Sequence, residues 1–253
     1  MNTRLELIVS SDIHKDHLDV LEKIIKNVIK DVYILPDVLI VHVVDSHDVV
    51  RSILGIEKNV EYDEKPIKLF IDYDTLEPVL SIRKDFVNMS IDELRLEIAR
   101  ELTTYEVIMD PIHVERWAIP ENIDKISPLD AMLSTAIILR LVDSLLVSRR
   151  YKEIIAQEFH NNAKDIVNIA EDIKTNPKVR ALEALCWDIP ISFELAGYRD
   201  IGSRLFLETR KFTNIMSEYG RSFLDKYDDF RSFSRNNFYF ENIREYLDLV
   251  FED

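Results

Sequence analysis

The chain predicts an α+β fold: a small N-terminal mixed sheet with helices against it, followed by an all-helical C-terminal half. Three observations lead there. Short apolar, β-branched runs alternate with amphipathic stretches before residue 90. Two of those runs flank a turn and read as a hairpin. From Ser127 onward the periodicity is helical throughout, punctuated by proline and glycine.

Taken in order, Leu5 to Ser10 predicts a strand, and Lys15 to Lys30 an amphipathic helix with Asp12 as its cap. Val38 to Val44 predicts the next strand, and Ser46 caps a short helix that ends at Gly55. An acidic link, Glu57 to Lys65, leads into the hairpin, whose strands are Pro66 to Tyr73 and Val79 to Phe86 around the turn Asp74 to Pro78. Ser90 then stands as an N-cap with Glu93 in the capping-box position, so a helix starts at Ile91. On that helix Ile91, Leu94, Ile98, Leu102 and Tyr105 share one face, and Glu101 sits at its margin. Ser127-Pro128-Leu129-Asp130 opens a strongly apolar helix carried to Phe159. Further helices are expected over Ala163 to Lys174, Pro177 to Trp187, Ile191 to Ala196, Ile201 to Tyr227 and Phe240 to Phe251. The boundary falls in the loop from Ile119 to Ser127, giving an α+β part over residues 1–126 and a helical part over 127–253.

The stretch Arg100-Glu101-Leu102-Thr103-Thr104 carries the sharpest chemical signal. A zinc peptidase of the zincin class needs His-Glu-x-x-His on a helix, because imidazoles one turn apart reach one zinc ion and the Glu acts as base on its water. Here the Glu is in register as Glu101, and Arg100 and Thr104 stand where the histidines would be. Arg100 is a permanent cation with no lone pair to donate, so it repels a divalent metal.

The order strand, turn, strand, capped helix between about residues 66 and 151 resembles the minimal zincin core, especially the small archaeal gluzincin-type domains, with both metal-binding histidines lost. The resemblance implies a strand running along a cleft beside the active-site helix, and a third acidic ligand on a later helix. Asp143, in Leu141-Val142-Asp143-Ser144, matches that vestigial position; an ion pair with Arg140 or Arg149 is the structural alternative for it. The resulting expectation is a vestigial site of Arg100, Glu101, Thr104 and Asp143, in which Arg100 replaces the metal and is clasped by Glu101 and Asp143. Catalytic residues, metal and cofactors are expected to be none. An active peptidase with Glu101, His113 and Asp143 as unconventional ligands is the first alternative.

A second alternative rests on the N-terminus. Asp12-Ile13-His14 after a strand, and Asp45-Ser46-His47-Asp48 after another, resemble the metal-binding strand ends of calcineurin-like metallophosphoesterases. The match departs where glycines are needed, at Lys15 and Val44, and the later histidine motifs are missing, so Asp12 and Ser46 read as caps and His14 and His17 as exposed residues of a helix start.

Composition bounds the partner. A formal net charge of −15 argues against general nucleic-acid binding and against anionic membranes, and points to a protein or peptide partner of basic or neutral character. With four glycines and no phosphate-cradling loop, common nucleotide enzymes have no footing. Cys186, the single cysteine, is expected to be buried between Leu185 and Trp187 and admits no internal disulfide. The start of the chain lacks a signal-peptide core and the long apolar helix carries Arg140 and Asp143, so a cytoplasmic protein is expected. Few glycines, one glutamine (Gln157) and many Ile, Glu, Lys and Arg lean towards an archaeal thermophile. Near the end, Arg231, Phe233, Arg235, Phe238, Tyr239 and Phe240 interleave bases with aromatics. In so acidic a chain they are read as docking the last helix rather than as binding single-stranded nucleic acid.

Overall fold

The computed structural model describes residues 3–56, 65–72, 75–120, 125–160, 176–186, 188–213, 218–237 and 239–251. The fold is α+β, with a four-stranded mixed sheet near the N-terminus and a helical C-terminal half. It divides into two compact units, Met1–Met109 and Asp110–Asp253. Residues 110–126, placed with the α+β part by the sequence reading, thus fall in the second unit.

The first unit starts with β1 (Arg4–Val9), followed by α1 (Lys15–Val28), β2 (Val38–Val44) and α2 (Asp48–Leu54). The hairpin β3 (Ile67–Ile71) and β4 (Pro78–Arg83) then feeds α3 (Ile91–Met109). Strand order is β1-β2-β4-β3. β1, β2 and β4 are parallel, with Leu5 beside Leu39 and Val41 beside Leu80. β3 is antiparallel to β4, Leu69 facing Leu80.

Alternation along the strands sends residues to two faces. Val44, Phe70 and Val79 pack against Val50 of α2, with Ile40 and Leu54 at the margin. On the other face Leu39, Val41, Val43, Leu80 and Ile82 are fully buried, as are Leu21, Ile25 and Val28 of α1. α3 packs against both α1 and β3. Each such buried aliphatic side chain contributes about 1.5–3 kcal/mol through removal from water. Gly55 closes α2 in the left-handed region at φ 66°, where a side chain would be strained.

Local expectations shift at several ends. The N-cap of α1 is His14, whose Nδ1 accepts from the Asp16 N–H; Asp12 does not cap it, because two residues separate it from the first turn. Ser46 does act at α2, its hydroxyl accepting from Asp48 N–H at 3.2 Å. α1 ends at Val28 and tightens into a 3₁₀ turn over Ile29–Asp31. β4 stops at Arg83, and Lys84–Asn88 is a 3₁₀ helix that buries Phe86. α3 is buried along two stripes, Leu94, Ile98, Leu102 and Tyr105 and also Leu96, Ala99, Thr103 and Val107, while Ile91 at its mouth is 64% exposed. An amphipathic reading from periodicity finds only the first stripe.

The second unit begins with α4 (Pro111–Trp117), capped by the Asp110 carboxylate on Ile112 N–H with proline in the first turn. α5 (Pro128–Ser148) follows, with the predicted cap completed into a full capping box by Ser127 and Asp130. It ends ten or so residues before Phe159, because Arg149 leaves helical geometry (φ −90°, ψ −110°). The Arg149 N–H and the Ser148 hydroxyl bond the last carbonyls, and the turn drops Tyr151 into the core before residues 152–160 resume as helix. By length and composition α5 could cross a membrane, yet half of its most apolar window is buried, as in a core helix.

Next come α6 (Pro177–Cys186), α7 (Ile189–Leu195) and α8 (Arg199–Thr213), then α9 (Glu218–Asn236) and α10 (Phe240–Val250). Within the helix expected over Ile201 to Tyr227 the described parts are helical, in α8 and α9, and residues 214–217 lie outside the described residues, as does the helix expected over Ala163 to Lys174. α7 starts two residues earlier than expected because Asp188 caps it and Pro190 fits its first turn.

α6 and α7 pack on α5. α10 docks through aromatics as expected: Phe233 stacks on Tyr246 at 3.9 Å, and Phe223 and Phe230 flank Phe251. Of the bases of that segment, Arg231 is turned inward, and Arg235, partly exposed, donates to Glu194 at 3.3 Å. Arg231 forms a two-point pair with Asp188 (2.7 and 3.3 Å) and a bond to Glu194, and lies 3.9 Å over the Phe206 ring. Tyr227 completes the cluster by donating to Asp188.

Candidate functional site

The capping box of α3 is formed as predicted: Ser90 N–H donates to Glu93 at 2.9 Å, and Glu93 N–H to the Ser90 hydroxyl at 3.2 Å. Beyond it, α3 presents Glu97, Arg100, Glu101 and Thr104 towards the hairpin side of the unit. Glu101 Oε2 accepts the Leu69 N–H of β3 at 2.8 Å. Leu69 pairs with Leu80 on its other side in a ladder whose backbone bonds run through Pro66–Arg83 and Asp72–Glu77. Alternation therefore turns the N–H groups of Ile67, Leu69 and Ile71 to the free edge of β3. Glu101 occupies the middle one, as a carbonyl of an added strand would.

Burial dominates the chemistry of Glu101 and pushes its carboxyl up to about 7, against the attraction of Lys65, the Leu69 bond and Lys68, with Glu97 reinforcing the rise. Arg100 Nη1 donates to Glu97 Oε1 at 3.1 Å, and Lys65 Nζ lies 3.9 Å from the other Glu97 oxygen. Glu97 is thus a carboxylate that Arg100 holds, one turn back, and periodicity gave no reason to single it out. Thr104 donates its hydroxyl to the Arg100 carbonyl, a local helical bond that uses the hydrogen a zinc ligand would not need. Lower on the same helix Tyr105 donates to the Leu76 carbonyl, tying the hairpin turn to α3.

Of the remaining predicted residues, Asp143 is half-buried on α5 and belongs to the second unit. His113 is also in that unit, on α4, with Nε2 3.7 Å from Asp110 and a buried Nδ1 that has no hydrogen-bond partner. Cys186 is half-buried rather than enclosed, and desolvation still pushes its thiol up to about 11. Trp187 lies outside the described residues.

The strand ends gather a second polar group within the first unit. A cleft of about 340 Å³ at the carboxyl ends of β2 and β4 is lined by Asp45, Ser46, His47, Asp48, Arg83, Lys84 and Asp85. Its charges are paired among themselves. Lys84 bonds Asp45 at 2.7 Å and holds that carboxyl below its ordinary range, and Arg83 clasps Asp85. His14 and His17 are exposed at the start of α1, as expected. His47 is not a strand-end ligand. It is 1% exposed, with Nδ1 2.7 Å from the Ser81 hydroxyl and Nε2 2.9 Å from the Lys65 carbonyl. A carbonyl can only accept, so Nε2 carries the proton and Ser81 donates to Nδ1. Sequence alone offered no signal for this link, since its three residues come from separate segments.

Among the described residues no three His, Cys, Asp or Glu side chains are grouped so as to hold a metal ion. No protein-family model matches the chain, and no curated protein or solved structure does either.

Proposed function

We propose that the chain is a catalytically inactive, zincin-like protein that binds an extended segment of a protein or peptide partner beside α3. The observation that carries this reading is the bond from Leu69 N–H on an antiparallel edge strand to Glu101 on the capped helix. The resemblance to zincins implies a strand along the cleft beside the active-site helix, and β3 lies in that relation to α3. Support for the loss of catalysis comes from Arg100, a cation in the place of the first imidazole, and from Thr104, whose hydroxyl is bonded to backbone. Neither side chain supplies a lone pair suited to zinc.

Binding then rests on backbone. The outward N–H of Ile71, half-buried where Ile67 is fully enclosed, pairs with an extended partner, and the net charge of −15 favours one carrying Lys or Arg. The site needs no cofactor. A cytoplasmic location agrees with the free cysteine.

The test is selection of extended peptides from a displayed random library against the full chain, followed by affinity measurement on Ile71→Pro. That proline removes an outward N–H and leaves the β3–β4 ladder intact. Basic peptides that lose about tenfold or more in affinity on the variant are the expected outcome. One equivalent of zinc bound per chain with zinc-dependent peptide cleavage would overturn the reading, and so would peptides indifferent to Ile71→Pro.

A further inference from the structure

The sheet has two edges, and they are treated differently. α3 packs along β3 and Glu101 takes its central outward N–H, so only the Ile71 end of that edge is open to the proposed partner. Among the described residues no helix packs along β1. Arg4 N–H bonds the Asp37 carbonyl and Ser10 N–H the Val43 carbonyl, so the even-numbered residues face β2. Alternation turns the N–H and C=O groups of Leu5, Leu7 and Val9 away from the sheet, where none finds a backbone partner among the described residues.

Proteins usually blunt such an edge with lysine, proline, a bulge or a covering element. β1 reads Arg-Leu-Glu-Leu-Ile-Val, without lysine, proline or glycine, and pairs with β2 in unbroken register. Ile8 and Val9 are 38% and 40% exposed on its two faces. Six residues of open, apolar, regular edge form a template for another strand.

We propose that β1 is a self-association edge, on which two copies of the chain pair β1 antiparallel about Leu7 and join their sheets into one of eight strands. The occupant is a second copy because the strand complements itself when reversed. With Leu7 on the two-fold axis, Leu5 of each copy faces Val9 of the other as hydrogen-bonded pairs, and Ile8 lies over the stem of Glu6. The charges also run in the required sense. Arg4, at the start of the strand, is exposed and among the described residues its side chain makes a single 3.4 Å contact, with Glu6; Asp12, just past the end of the strand, is exposed too and lies near Lys84. Antiparallel pairing brings each Arg4 opposite Ser10 and diagonally towards Asp12 of the second copy, twice per dimer. Each copy carries −15, so the pairing tightens as salt screens the general repulsion.

Sedimentation equilibrium of the full chain tests this, from about 1 to 100 µM in 0.15 M and 0.5 M salt. Wild type is expected to reach twice the chain mass, with stronger dimerisation at the higher salt. Ile8→Glu, which sets a carboxylate opposite Glu6 of the other copy, and Leu7→Pro each weaken dimerisation about tenfold or more; the proline leaves the β1–β2 bonds in place because Leu7 N–H faces outward. Should the proline variant lose its fold by circular dichroism, Ile8→Glu carries the test alone. Arg4→Glu weakens the dimer, and Arg4→Glu combined with Asp12→Arg restores it. A monomeric wild type at the top concentration overturns the proposal, as does a dimer unchanged in Ile8→Glu.

Discussion

Replacing Glu101 by Gln separates the charge of this side chain from its hydrogen bond. The amide oxygen of glutamine still accepts the Leu69 N–H, which the carboxylate holds at 2.8 Å, but it cannot ionise. Burial raises the Glu101 carboxyl from 4.5 to about 7 in the fold. The native state therefore keeps its proton over a range in which the unfolded chain has already lost it. Stability from this group is complete below pH 4.5, falls as pH rises towards 7 and is level above that. At about 1.4 kcal/mol per pH unit, the gap amounts to about 3 kcal/mol between the two plateaus. Glu101→Gln removes that slope. Urea unfolding of both proteins between pH 4.5 and 8 is the assay, read as the difference in unfolding free energy. The variant is expected to gain on wild type as pH rises, by up to about 3 kcal/mol at pH 8. A constant difference across the range, or a variant that loses ground at pH 8, refutes burial as the cause of the shift.

The second unit yields two contrasting predictions about buried arginines. Arg140 is buried, and among the described residues its Nε has no hydrogen-bond partner and its guanidinium makes a single 3.5 Å bond, to the Ser234 carbonyl; desolvation pulls it down to about 10. Arg140→Met should raise the unfolding free energy by about 1–4 kcal/mol in a urea titration, and a loss would show the guanidinium to be well satisfied. Arg231→Met should cost about 3–5 kcal/mol, because it takes the guanidinium from buried Asp188 and leaves Glu194 with Arg235 alone among the described residues; a change near zero in the same titration would contradict the pairing. Gly202 allows α8 to approach α7, since an added Cβ would sit 2.5 Å from Glu194 Cγ and 2.6 Å from the Pro190 carbonyl oxygen. Gly202→Ala is expected to lower stability by about 1–3 kcal/mol, and an unchanged melting temperature would deny the close contact. Ser81→Ala leaves the buried His47 Nδ1 without its donor and should cost about 1–3 kcal/mol, checked by thermal melting against wild type.

Much of the local structure was legible because its causes are local. The Ser90–Glu93 and Ser127–Asp130 caps, the hairpin register signal and the left-handed stop at Gly55 each depend on residues within one turn of one another. The apolar periodicity of α1 and the all-round apolarity of α5 likewise announced their places in the core. Errors fell where distant packing chose between similar local options. Arg149 leaves the helix although its neighbours are good helix formers, and the resulting turn buries Tyr151.

By itself, then, the sequence determined the α+β class, the order of the elements and the absence of histidine from the Glu101 helix, since each follows from short-range pattern or residue identity. Tertiary structure alone decided what Glu101 and Arg100 touch. A side chain at the margin of an apolar stripe has many neighbours available, and the choice of Leu69 N–H for one and Glu97 for the other depends on how β3 lies beside α3. The same holds for His47 with Ser81 and for the two sheet edges, one capped and one open. Strand order sets both, and no local pattern encodes it.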